Sequence, residues 1–167
     1  KTTKGGNMRL SSPAFRHGEM IPSRYTCDGE DINPPLEIED IPPDTRSLAL
    51  IVEDSDAARG VWVHWVVYDI TPRSRIEENS VPGTLALNDF GREKYAGPCP
   101  PSGTHRYYFK LYALDTMFDL PDGAGAQVLK EREEGHVLDK AELMGVYTRR
   151  RNRVASGASV RADEGKS

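Results

Sequence analysis

The 167-residue sequence predicts an all-β protein, an antiparallel β-sandwich with one short helix near residues 123–134. Two observations carry this. Two segments, Ser47–Glu53 and Val61–Ile70, are apolar on both faces and rich in β-branched residues, as strands covered on two sides are. Loops dense in Pro and Gly separate the apolar runs, at Pro34-Pro35, Pro42-Pro43, Asp54–Gly60, Pro98–Gly103 and Pro121–Gly125. Many strands divided by such loops suit a sandwich better than alternating strands and helices.

Taken in chain order, Arg9–Ser11 and Leu36–Ile38 are short strand candidates, followed by the two long apolar strands. His105–Asp115 is a further strand, rich in aromatics and less cleanly alternating. Val137–Tyr147 sets Ala141, Leu143 and Gly145 against Lys140 and Glu142, the pattern of a half-exposed strand. The helix has Asp122 as its candidate cap, Val128 and Leu129 on its apolar side, Glu131–Glu134 on its solvated side and Gly135 as its stop. No internal repeat or heptad is present.

Composition bounds the function. With 37% hydrophobic and 29% charged residues the chain has a globular balance and the length of one domain. No run approaches the ~20 apolar residues that cross a bilayer as a helix. A net charge of −4 argues against nucleic acid or an acidic membrane as the main partner. Residues 149–167 carry six basic side chains against two acidic ones, a surplus of four, which leaves −8 on residues 1–148. That tail lacks interleaved aromatics for base stacking, so it reads as a solvated basic extension with at most weak affinity for nucleic acid. The expected organisation is a polar, disordered or extraneous segment over 1–8, a domain over 9–149 and the basic extension over 150–167. The first residues show no apolar core of a signal peptide, and Met8 is a candidate natural start, with a removed signal as the alternative.

The residues able to do chemistry are few. His64 sits in an apolar strand between Trp62 and Trp65, and its spacing from Trp62 puts the two on one side. His105 opens another strand after a Pro-Pro-Ser-Gly-Thr loop. Asp54 and Asp56 follow the Ser47–Glu53 strand in the connection to the His64 strand, so hairpin connectivity brings the carboxylates to one end of the sheet. If both histidines converge there, the pocket holds donors and acceptors suited to a phosphate or carboxylate. Protonated imidazoles and loop N–H groups bind the anion, and Asp54 fixes one imidazole tautomer. The same residues admit an alternative, a metal-assisted or acid–base hydrolase using His64, His105 and Asp54. No His-Glu-x-x-His, Gly-x-Ser-x-Gly or phosphate-cradling glycine pattern supports it, and Ser55 and Ser102 are only loop serines near the right place. No metal and no cofactor is expected. The chain is therefore read as a binding protein and not an enzyme, and a homodimeric scaffold with a vestigial pocket is a third reading. Cys27 and Cys99 are too far apart in sequence for a metal-binding Cys pair.

Two signatures give a resemblance. Asp54-Ser55-Asp56-Ala57-Ala58 with Trp62-Val63-His64-Trp65 resembles the first signature of the phosphatidylethanolamine-binding, or Raf-kinase-inhibitor-like, family. Gly97-Pro98-Cys99-Pro100-Pro101-Ser102-Gly103-Thr104-His105-Arg106-Tyr107 resembles the second. The stretch Ile21–Gly29 with Asn33-Pro34-Pro35-Leu36 is similar to the bacterial and archaeal branch. The resemblance implies Greek-key connections and a small anion-binding cavity at one end of the sandwich. It implies that Asp54, Asp56, Trp62, His64, Pro100, His105 and Tyr107 line or support that cavity, with Cys99 at its rim and Arg106 facing away to tie loops together. It further implies a Cys27–Cys99 disulfide, a homodimer, and regulation of a kinase or signalling partner. Cytoplasmic residence is expected, with a periplasmic or secreted one as the alternative if a signal was removed and the cysteines are oxidised. Ser55 and Ala58 replace prolines of the first signature, which predicts a looser loop there. Nothing matches the C-terminal helix that covers the pocket in the mammalian branch.

Overall fold

The computed structural model describes residues 6–149; the expectations for residues 1–5 and for the extension over 150–167 lie outside the described residues. The elements are β1 (Arg9–Ser11), β2 (Leu36–Glu39), β3 (Ser47–Ala57), β4 (Gly60–Ile70), β5 (Arg75–Ile76), β6 (Thr84–Leu85), β7 (His105–Leu114), α1 (Ala126–Glu133) and β8 (Val137–Tyr147). They form two antiparallel sheets, one ordered β1-β2-β5 and the other β6-β4-β3-β7-β8.

The apolar pattern explains why β3 lies mid-sheet. Leu48, Leu50 and Val52 point into the core between the sheets, with Trp65, Phe109 and Leu111 from β4 and β7 and Leu10, Leu36, Ile38 and Ile76 from the smaller sheet. Ala49 and Ile51 point to the other face, where Val63, Val66, Tyr68 and Leu114 form a second cluster capped by Leu129 of α1. A strand buried on both faces needs no polar alternation. β8 lies at the sheet edge and keeps the half-exposed pattern that its sequence shows.

Three differences from the expectations have local causes. The helix starts at Ala126 with Gly125 at its cap position, and no side chain caps it, so Asp122 does not play that part. Asp54–Gly60 is not a loop. β3 continues to Ala57, and β4 begins at Gly60, so only Ala58 and Arg59 turn the hairpin. Gly60 has φ +108°, a conformation that costs glycine little. Met8 belongs to the domain: its side chain is buried in the core and its amide donates to Asp139 Oδ2 at 3.0 Å.

Candidate functional site

β3 pairs with β4 on one side and β7 on the other, so Asp54 lies opposite both Trp62 and Tyr107. Residues opposite one another across a ladder share a face of the sheet. The pairing alone therefore gathers a carboxylate, an indole and a phenol at one end of the inner face.

A β-bulge adds His64 to them. Glu53 pairs with Val63 and Val52 pairs with Trp65, which leaves one extra residue on β4 at His64. A bulge breaks the period-2 alternation. Val63 and Val66 consequently point to the α1 face, while Trp65 packs in the inner core. The His64 and Trp62 rings both meet Phe90 edge-on, at centroid distances of 5.3 and 5.6 Å. His64 also meets Tyr107 edge-on at 5.4 Å, and His105 lies nearly parallel to Tyr107 at 6.4 Å. Tyr107 thus connects the two histidines.

The hydrogen bonds fix both imidazole tautomers. His64 is fully buried, and its Nδ1 lies 2.7 Å from the Ala96 carbonyl oxygen. A carbonyl only accepts, so Nδ1 carries the hydrogen. Burial pushes the His64 pKa below its ordinary value, outweighing the Ala96 hydrogen bond and the nearby Asp54 and Asp31 charges. The neutral ring therefore presents a lone pair at Nε2, an atom that is buried and has no partner among the described residues. His105 donates from Nδ1 to Asp54 Oδ2 at 2.7 Å, and the other oxygen of the fully buried Asp54 accepts the Asp56 amide at 2.7 Å.

Two more buried polar atoms have no partner among the described residues: Trp62 Nε1 and the Tyr107 hydroxyl. The hydroxyl lies near Asp54 and the Cys99 backbone, in well-formed hydrogen-bond geometry with neither. Burial, and then the Asp54 charge, hold the Tyr107 pKa far above the phenol range, so it stays a donor. Buried polar atoms are seldom orphaned, because an unmade hydrogen bond costs about 1–3 kcal/mol. Three such atoms, His64 Nε2, Trp62 Nε1 and the Tyr107 hydroxyl, lie in this one ring cluster.

Of the other expected residues, Asp56 is turned away. Its carboxylate takes the Arg106 guanidinium through Nε at 2.9 Å and Nη2 at 2.7 Å, and Oδ2 also accepts the Arg106 amide at 2.8 Å. Those bonds hold its pKa at about 2. The pair straps the β3–β4 hairpin to β7, where missing prolines led us to expect looseness. Cys99 and Pro100 are buried in the loop leading to His105, and Cys99 is disulfide-bonded to Cys27.

Sequence reasoning missed Phe90, Ala96 and the residue that organises their loop, Asn88. Asn88 Nδ2 donates to the His64 and Lys94 carbonyls, and its Oδ1 accepts the Phe90 and Arg92 amides. The Asn88-Asp89-Phe90-Gly91 run is a turn signal that marks this loop. Among the described residues, no three His, Cys, Asp or Glu side chains gather as a metal-binding group.

A fold of two antiparallel sheets with this ring cluster at one end has clear relatives. The family model for phosphatidylethanolamine-binding protein matches residues 11–148, and the chain belongs to that family. A protein of Methanothermobacter thermautotrophicus, called a UPF0098 protein, is 50% identical over 150 residues, covering 85% of this chain and 99% of its own. The UPF0098 protein of Chlamydia muridarum is 44% identical over 147 residues, covering 84% and 98%. Among solved structures, the phosphatidylethanolamine-binding protein homologue CT736 of Chlamydia trachomatis superposes with TM-score 0.82 at 42% identity, covering 85% of this chain and 97% of its own. YbcL of E. coli shares the fold, with TM-score 0.80 at 24% identity over 87% of this chain and all of its own.

Proposed function

We propose that the cluster of Trp62, His64, His105 and Tyr107 binds a small oxyanion that still carries a proton, such as a phosphate monoester. The observation that carries this is the set of three partnerless buried atoms, two donors and one acceptor. Trp62 Nε1 only donates, and the Tyr107 hydroxyl, held protonated, offers a second donor; an anion supplies acceptor oxygens to both. Neutral His64 offers a lone pair, which an O–H of the ligand satisfies. The protonated-imidazole mechanism expected from the sequence is replaced at His64 by a proton that the ligand brings.

Titration calorimetry with inorganic phosphate near pH 6 tests this. Trp62→Phe and Tyr107→Phe each remove one donor and leave a ring in place. Each is expected to weaken binding about 10- to 100-fold, the cost of a hydrogen bond to a charged group. Unchanged affinity in both variants contradicts the reading.

Regulation of a kinase or signalling partner, homodimerisation and the Greek-key path extend this reading from the family, and the pairing of β3 with the distant β7 supports the last. The Cys27–Cys99 bond favours the periplasmic or secreted alternative over the cytoplasmic expectation, except in the disulfide-rich cytosol of hyperthermophiles. No helix among the described residues is long and apolar enough to cross a membrane.

A further inference from the structure

A groove of about 260 Å³ lies beside the ring cluster and shares Phe90 with it. Both Cys27 and Cys99 line it, together with Arg92, Lys94 and Asp31. Asp31 Oδ1 accepts the Gly97 amide at 2.7 Å, which orients its carboxylate. Arg92 and Lys94 are exposed, and neither forms an ion pair among the described residues. The groove therefore presents two cations, one amide-bound carboxylate and a disulfide, a local surplus of one positive charge on a chain whose net charge is negative.

The disulfide closes onto the wall of the ring cluster. Ala96, which fixes the His64 tautomer, is three residues from Cys99. The segment from Tyr95 to Cys99 rests on the Cys27 loop: the Cys27 amide donates to the Pro98 carbonyl at 3.1 Å, and the Tyr95 hydroxyl donates to the Tyr25 carbonyl at 2.7 Å. Gly97 passes so close that a methyl group there would collide with the Tyr25 carbonyl oxygen. The Cys27–Cys99 bond is the covalent lock on this contact.

We propose that the groove admits a small anionic thiol that opens the Cys27–Cys99 bond and thereby loosens the Ala96 wall of the anion site. The second half rests on the anion reading above. Cys27 is half-buried and Cys99 buried, so the incoming thiolate attacks Cys27 Sγ. A mixed disulfide forms at Cys27, the bond to Cys99 breaks, and its electron pair leaves on Cys99 Sγ, which takes a proton from water. A second thiolate attacks the thiol sulfur of the mixed disulfide, releasing a symmetrical disulfide and the Cys27 thiolate. Two electrons pass to the protein, and two thiols are oxidised. Arg92 and Lys94 attract the anionic thiol and stabilise both thiolates.

The experiment compares reduction of the oxidised protein by 2-mercaptoethanesulfonate, 2-mercaptoethanol and cysteamine, with rates expressed per thiolate. Overall charge predicts that the anionic reagent is slowest. The groove predicts that it is fastest, by about tenfold over cysteamine at low salt, with the preference fading near 1 M salt. Arg92→Ala with Lys94→Ala is expected to abolish the preference. Equal rates, the reverse order, or a preference that survives the double variant overturns the thiol site. Phosphate titration then reads the coupling. Reduced protein that keeps its circular dichroism is expected to bind about tenfold more weakly than oxidised protein. Equal affinity overturns the clamp, as does loss of the whole β signal on reduction, which would make the bond a global staple. If oxidised protein binds no phosphate, the anion reading fails, and the rate comparison still decides the thiol site.

Discussion

Asp54 and His105 are joined inside the protein by a 2.7 Å hydrogen bond across 51 residues of chain, with Asp54 fully buried. The other Asp54 oxygen holds the Asp56 amide, so both oxygens serve to position neighbours. This pair sets the His105 ring against Tyr107, and Tyr107 in turn meets His64. The site is therefore only as rigid as that carboxylate.

Asp54→Asn tests the dependence. The amide keeps the shape but presents one oxygen where two are used, and it removes the charge. Chemical denaturation is expected to show a loss of about 1–3 kcal/mol, with phosphate affinity falling at the same time. A variant of wild-type stability and affinity contradicts the positioning role.

Glu133 predicts an inverse pH dependence. It ends α1, is buried at 4% exposure, and has one carboxylate oxygen without a partner. Burial raises its pKa to about 7, and the partly opposing Lys130 charge does not restore it. Because the folded state holds this proton more tightly than the unfolded chain, stability falls as pH rises from about 4.5 through 7. Glu133→Gln removes the loss. Urea melts from pH 4 to 8 are expected to show the variant gaining on wild type as pH rises, by about 1–3 kcal/mol at pH 8. Parallel pH profiles contradict this.

Asp56 carries the opposite sign. Arg106 holds its pKa at about 2, below its ordinary 3.8, so the strap contributes stability above about pH 4 and loses it as pH falls through 2. Both partners are partly exposed, with side-chain exposures of 28% and 52%, so screening keeps the effect small. Asp56→Asn is expected to lower the melting temperature by roughly a few degrees at pH 6 and to converge with wild type near pH 2. A gap that persists at pH 2 places the effect outside the ion pair.

Much of the architecture was legible in the sequence because core strands write themselves in apolar residues. The runs that became β3, β4, β7 and β8 were found within a few residues. The short pairs Arg75–Ile76 and Thr84–Leu85 carry too few residues to show a period, and they were missed. His64, His105 and Asp54 were named from strand position and signature, yet their meeting depends on β3 pairing with β7, which spacing along the chain does not encode. The bulge at His64 left no Gly or Pro in Val-Trp-Val-His-Trp-Val-Val, so the inward turn of Trp65 beside Trp62 was invisible. Asp56 was grouped with Asp54 because the segment after Glu53 reads as a loop, whose carboxylates hairpin connectivity brings to one end, whereas β3 continues through it to Ala57. A second irregularity, between Asp54 and Ala57, hands it to Arg106. Phe90 and Ala96 sit in irregular chain, where no periodicity points to a partner.

The pH dependence of binding separates a proton carried by the ligand from one carried by the protein. With His64 neutral, the midpoint of affinity loss is expected to follow the ligand, at about 6 for a phosphate monoester and lower for more acidic phosphonates. A midpoint fixed across such a series assigns the proton to the protein.

The most direct measurement is competition between phosphate and sulfate by calorimetry at pH 6. The two ions match in size and shape, but sulfate brings no proton for His64 Nε2, the buried acceptor that no described residue satisfies. Phosphate is expected to bind at least about tenfold more tightly, the cost of leaving that lone pair unmet. Sulfate binding equally well or better contradicts the account.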